Sequence, residues 1–161
     1  MSLPAHPPIA ADVQIFLPDE ASAARFAQIC AEHLGAGDTV LLSGPVGAGK
    51  SHFARAVIRA HLGQHTEVPS PSFTLVQCYD AGFEIWHADL YRLSHSFEVA
   101  ELGLEDAMGK ALCLIEWPDR LAQTPPDAIA LSLAMSGEGR MAHLSGASPA
   151  LIAALKLAFP A

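Results

Sequence analysis

The 161-residue sequence contains no asparagine. That excludes N-linked glycosylation, and with it goes the Asn-Lys-x-Asp motif by which most GTPases read guanine. Cysteine is scarce: Cys30, Cys78 and Cys113 stand far apart, are odd in number and form no Cys-x-x-Cys pair. The pattern encodes neither a disulfide framework nor a zinc site, and it points to a reducing cytoplasm. Positive charge is sparse as well. Nine Lys and Arg residues against 17 Asp and Glu leave a formal net charge of −8, so the basic stripe of a free-standing nucleic-acid binder is missing and any phosphate site must be local. No apolar run approaches the roughly 18–20 residues of a membrane span. Residues 1–11 lack the basic start and long apolar stretch of a signal peptide, so a protein that is not exported is expected.

What is present is a globular composition. Hydrophobic residues make up 51% and charged residues 16%, with 12 glycines and 12 prolines, a balance that fits neither a disordered tail, a collagen nor a coiled coil. The Pro-rich first 11 residues read as a loose N-terminal arm, and residues 12–161 as one domain. Val13 to Leu17 alternates as a short strand, and Asp19 is placed to cap a helix. Phe26, Ile29, Cys30, His33 and Leu34 follow with the spacing of one buried helical face, ended by Gly35. Thr39 to Ser43 predicts a buried strand and Ala54, Val57, Ile58, His61 and Leu62 a second amphipathic helix ended by Gly63. Phe73 to Tyr79 and Phe83 to Asp89 predict a hairpin about Asp80-Ala81-Gly82. Helical composition at Ser96 to Leu102 and Glu105 to Lys110 is broken at Gly103. Ala111 to Ile115 is a buried strand delivering Glu116. A second hairpin, Ala128 to Met135 with Arg140 to Ser145, precedes a last helix opened by Ser148-Pro149. The fold class expected is α/β, a mixed sheet flanked by helices.

Between the second strand and second helix lies Gly44-Pro45-Val46-Gly47-Ala48-Gly49-Lys50-Ser51, a match to G-x-x-x-x-G-K-[ST] at every fixed position. In strand–loop–helix context this is a phosphate-binding loop, and the single-domain fold is accordingly expected to be P-loop NTPase-like. Its backbone N–H groups, from Val46 through Gly47, Ala48 and Gly49 to Ser51, converge on phosphate at the positive end of a helix. Lys50 reaches the terminal phosphates, the Ser51 hydroxyl ligates Mg²⁺, and His52 follows directly. Phosphoryl chemistry also needs a carboxylate at a strand end to hold the metal or its waters, and two strands end in one, at Asp89 and at Glu116. Ser70-Pro71-Ser72-Phe73-Thr74 occupies a place where P-loop proteins often sense the γ-phosphate, which nominates Ser72 and Thr74. Each motif has a plainer reading as a turn, cap or packed tryptophan. The eight histidines are read as structural.

Taken in order, the phosphate loop, Ser70-Pro71-Ser72-Phe73-Thr74-Leu75-Val76, His87-Ala88-Asp89-Leu90-Tyr91-Arg92-Leu93, Glu101-Leu102-Gly103-Leu104-Glu105 and Ile115-Glu116-Trp117-Pro118 resemble the successive motifs of the TsaE (YjeE) family. The resemblance runs over residues 13–121. It implies a bacterial ATPase, with ATP and Mg²⁺ as cofactors, required for threonylcarbamoyladenosine in tRNA. It also implies TsaB and TsaD as protein partners, with tRNA reached only through that complex. Residue by residue, it gives Lys50 and Ser51 the phosphate and Mg²⁺ roles, makes Asp89 the Walker B-like aspartate and Glu116 the second metal-site acid, and sets Trp117 near the nucleotide. Pro18-Asp19-Glu20 resembles a segment near the adenine, and Arg140 is a candidate nucleotide contact. The chain departs from the family pattern at Pro45-Val46, at Ser51-His52 and at Ser72, where serines keep the hydroxyls. Two other readings compete. A P-loop small-molecule kinase would carry several clustered lid arginines, yet after Arg59 only Arg92, Arg120 and Arg140 remain. A nucleotide-gated interaction module would bind ATP to hold a partner and hydrolyse it only incidentally.

Overall fold

The computed structural model describes residues 12–160, so the N-terminal arm expected for residues 1–11 lies outside the described residues. Seven strands form one sheet in the order β1-β7-β6-β2-β5-β4-β3. Strands β6 (Ile129–Ser136), β2 (Thr39–Ser43), β5 (Leu112–Glu116) and β4 (Glu84–Asp89) are parallel and central. The edges are antiparallel: β7 (Gly139–Ser145) and β1 (Val13–Leu17) on one side, β3 (Val76–Asp80) on the other. Strand β5 is buried at every position and β2 at all but Ser43, as parallel strands covered on both faces must be. The edge strand β1 and the first residues of β6 alternate buried with exposed positions.

Helices α1 (Glu20–Glu32), α2 (Lys50–Leu62) and α5 (Pro149–Ala158) cover one face. Their Phe26, Cys30, Phe53, Val57, Ile58, Leu151 and Leu155 pack with Leu42, Leu114 and Leu131 of the sheet. Helix α1 opens on a capping box in which Asp19 Oδ1 accepts from the Ser22 N–H at 2.8 Å, an arrangement that contributes about 1 kcal/mol. The opposite face carries a smaller core in which Leu41, Ala88, Cys113 and Ile115 meet Leu93, Val99 and Leu104. It is covered by the short α3 (Ser96–Ala100) and α4 (Leu104–Ala107).

The expected elements form, but the helix expected over Glu105 to Lys110 spans Leu104–Ala107, and one further shift is instructive. The first hairpin strand begins at Val76 rather than Phe73, because Leu75 adopts φ +68°. Its N–H donates back to the Pro71 carbonyl at 2.6 Å and its own carbonyl accepts from the Asp89 N–H at 2.9 Å. Residues 71–74 are therefore a turn pinned to the end of β4.

All three thiols are free. Burial pushes Cys30 and Cys113 up to about 12, while Cys78 is exposed on β3. Since the thiolate is the reactive form, a chromogenic disulfide reagent at pH 8 is expected to titrate one thiol rapidly in the native protein and three after unfolding. Rapid reaction of two or three native thiols would contradict this core.

Candidate functional site

Parallel strands that end together put their C-terminal residues on one edge of a sheet, where open α/β folds bind ligands. Here β2 runs into the glycine-rich loop, β4 ends at Asp89, β5 ends at Glu116, and Asp89 is the register neighbour of Glu116. The loop needs its glycines for different reasons. Gly44 has φ +139°, and a Cβ there would run into the Leu133 carbonyl oxygen of β6. Gly47 has φ +84° with open space around it, and Gly49 at φ +106° is the residue before α2. Because Gly49 carries no capping side chain, the first N–H groups of α2, which have no partner within a helix, remain available to an anion.

The loop is braced from two sides. Lys50, 5% exposed, donates from Nζ to the Gly44 carbonyl at 2.6 Å and to the Pro45 carbonyl at 3.0 Å, and lies 4.4 Å from the centre of the Trp117 ring. The Pro45 carbonyl also receives the Ala48 N–H at 3.1 Å. From β7, Arg140 donates Nε to the Ala48 carbonyl and Nη2 to the Gly47 carbonyl, both at 3.2 Å. Burial pushes the Lys50 ammonium below its ordinary pKa, and the nearby Glu116 and Asp89 pull it back up.

The two carboxylates are held differently. Glu116, 3% exposed, accepts from Ser51 Oγ on Oε1 at 2.7 Å and from His87 Nε2 on Oε2 at 2.7 Å. Asp89 accepts from the Tyr91 N–H on Oδ1 at 3.1 Å and from Ser72 Oγ on Oδ2 at 3.4 Å. Trp117 stands at φ +58°, ψ 55°, a left-handed backbone that costs a non-glycine residue about 1–3 kcal/mol. Its N–H donates to the Leu42 carbonyl at 3.3 Å and its ring meets Tyr91 at 4.9 Å.

Two cavities flank the loop. One, of about 400 Å³, is lined by Val46, Lys50, Ser51, Arg55, Ser72, Asp89, Glu116 and Trp117. The other, of about 510 Å³, is more apolar and is lined by Leu17, Pro18, Asp19, Phe26, Phe53 and Arg140. Gly47, Gly49 and His52 border both. The structure thus gathers the sequence-nominated residues around one loop, but two of them line neither cavity: Gly44, which starts the loop against β6, and Thr74, whose Oγ1 accepts from Gln77 Nε2 at 2.9 Å. Three residues were missed. Tyr91 sits inside a motif whose spacing gives it no role of its own. Arg55 follows Ser51 by four residues, so helical spacing puts it on the same face. His87 precedes Asp89 by two, so strand alternation puts it on the side of Asp89; reading it as merely structural overlooked its contact with Glu116.

Among the described residues no group of three or more His, Cys, Asp or Glu side chains is arranged to hold a metal. The Ser51 and Ser72 hydroxyls and two carboxylates, Asp89 and Glu116, are what this edge offers. That set suits a hard, six-coordinate Mg²⁺ that keeps waters and arrives with phosphates, rather than a metal caged by protein alone.

Comparison with known proteins agrees with the motif resemblance. A family model described as threonylcarbamoyl adenosine biosynthesis protein TsaE matches residues 17–142. The protein named tRNA threonylcarbamoyladenosine biosynthesis protein TsaE from Rickettsia felis is 41% identical over 115 residues, 70% of this chain and 67% of its own length. The protein of the same name from Haemophilus influenzae is 37% identical over 120 residues, 70% of this chain and 75% of its own length. The crystal structure of Bacillus subtilis YdiB superposes with a TM-score of 0.72 over 93% of this chain and 97% of that one, at 21% identity. That likeness shows a shared fold.

The different surroundings of the loop glycines make a direct test. Gly44→Ala is expected to lose about 1–3 kcal/mol more stability than Gly47→Ala, because both strain a left-handed backbone but only the first also overpacks. Urea unfolding of the two variants measures the difference, and equal losses would contradict the close passage of Gly44 against β6.

Proposed function

The chain belongs to the TsaE family of threonylcarbamoyladenosine biosynthesis proteins, and on that premise we propose that it is a Mg²⁺-dependent ATPase. Its hydrolysis supports modification of tRNA by a TsaB–TsaD transferase complex in the cytoplasm. The observation that carries this reading is the joining of Ser51 to Glu116 at 2.7 Å beneath a phosphate-binding loop, with Asp89 as the register neighbour of Glu116. A hydroxyl at the loop and acids at two strand ends are what phosphoryl transfer needs to hold a nucleotide-borne metal. Bound Mg²⁺ would supply charge neutralisation and polarisation of the terminal phosphate.

The chain's own groups then divide the work. Ser51, Asp89 and Glu116 hold the metal or its waters. The open N–H groups at the start of α2, together with those of Val46, Gly47 and Gly49, embrace the phosphates, and Lys50 and Arg55 bring positive charge to that cavity; the Ala48 N–H expected to join them is given instead to the Pro45 carbonyl, and Gly44 lies against Leu133 of β6. The more apolar cavity beside Pro18, Asp19, His52 and Arg140 takes the nucleoside. Ser72, bonded to Asp89, monitors the terminal phosphate. The scattered arginines favour an ATPase over a kinase: Arg92 lies over the exposed Phe73 ring at 5.7 Å, Arg120 meets Asp119 at 3.4 Å, and Arg140 is spent on the loop carbonyls. They build no clamp for a second nucleotide.

Lys50→Ala is expected to abolish ATP turnover. Asp89→Asn and Glu116→Ala should lower turnover far more than nucleotide affinity, since loop amides hold the ground state while the metal-site acids organise the transition state. The isolated chain should hydrolyse slowly, and a TsaB–TsaD complex should raise phosphate release at least several-fold where tRNA alone does not. Wild-type turnover in Lys50→Ala would sink the ATPase reading. Stimulation by bare tRNA, or none by TsaB–TsaD, would sink the proposed partnership.

A further inference from the structure

Glu116 has two carboxylate oxygens and the fold engages each with a different element. Oε1 takes the Ser51 hydroxyl from α2, and Oε2 takes His87 Nε2 from β4, both at 2.7 Å. His87 is fully buried, lines neither cavity, and its Nδ1 finds no partner among the described residues. A buried imidazole with one nitrogen left unpartnered is a costly way to fill space, because an unsatisfied buried acceptor loses its hydration for nothing. An ionised carboxylate only accepts, so in this pair Nε2 carries the proton and donates. The register explains the reach: His87 pairs with Leu114 on β5, two residues before Glu116, so the imidazole and carboxylate meet diagonally on one face of the sheet.

We propose that His87 is a positioning residue for the metal site: by holding Oε2 it fixes the carboxylate plane of Glu116 and keeps Oε1 turned toward Ser51. Without that bond the carboxylate has a competitor lining the same cavity, the Lys50 ammonium. A Glu116 that swings toward Lys50 leaves Ser51 Oγ without its acceptor and removes one of the two acids from the edge. The inference rests on the proposed Mg²⁺–nucleotide site and deepens it. Partners that orient metal-binding side chains typically change metal affinity by about 10- to 100-fold.

Calorimetry of ADP binding with and without Mg²⁺ tests this without any turnover. The wild-type chain should bind ADP more tightly with Mg²⁺. His87→Ala should bind metal-free ADP as the wild type does, within twofold, but lose at least tenfold of the Mg²⁺-dependent gain. His87→Gln, whose amide nitrogen replaces Nε2 as donor, should recover most of that gain. His87→Leu fills the space without a donor and should behave as His87→Ala, so the contrast of Gln with Leu carries the test if the alanine variant does not fold. In turnover, His87→Ala should lower kcat at least tenfold with little change in KM. Folded Ala or Leu variants with the full Mg²⁺ gain, or a Gln variant no better than Leu, would overturn the positioning role while leaving the ATPase reading intact. A wild-type chain that gains nothing from Mg²⁺ would overturn both.

Discussion

A carboxylate taken out of water must find partners for its lone pairs, and the buried Glu116 finds them on two separate elements. Leaving such a charge unpaired costs several kcal/mol, so the fold is constrained to bring β4, β5 and α2 together at this one side chain. The constraint sets the seat of α2, and through it the course of the loop that leads into the helix. Lys50 then sits in a place where burial disfavours its charge and two acids favour it. Lys50, His87 and Glu116 are buried while Ser51, Ser72, Asp89 and Trp117 are half-buried, so the polar, internally bonded site is stable only if its geometry is kept.

Keeping that geometry involves backbone strain at two positions that flank it. Leu75 and Trp117 are the only non-glycine residues at positive φ among the described residues. Leu75 aims its carbonyl at the Asp89 N–H, and Trp117 directs its N–H to the Leu42 carbonyl at the end of β2. Each therefore fastens the end of a central strand to a segment that also touches the site. Strain of this sort persists where surrounding packing over-determines it. Here the packing is supplied by the smaller core beneath α3 and α4, which includes both residues at its margin.

Much of this was legible in the amino-acid order, for physical reasons. The loop could be read because its glycines and lysine act through local backbone geometry over eight residues. Phe26 and Cys30, or Val57 and Ile58, betray helices because periodicity is a short-range signal. Asp89 and Glu116 stood out as acids closing apolar strands. The turn at Leu75 was not legible, since a leucine in left-handed backbone contradicts its own preference and is held there by Pro71 and Asp89. His87 was opaque because its partner lies 29 residues away on another strand. Thr74 was nominated by proximity in sequence, but the same turn that presents Ser72 to Asp89 leaves Thr74 bonded to Gln77.

Arg140 makes the order of synthesis relevant. The carbonyls it grips belong to Gly47 and Ala48, 93 and 92 residues earlier in the chain. Strand β2 likewise pairs only with β5 and β6, both made later. On a ribosome the loop therefore emerges long before anything that shapes it, and contacts so distant in sequence form late because the intervening chain must first be closed. The nascent chain therefore lacks the Arg140 brace on this loop until β7 has left the exit tunnel, and the loop takes its braced shape only after that strand is in place.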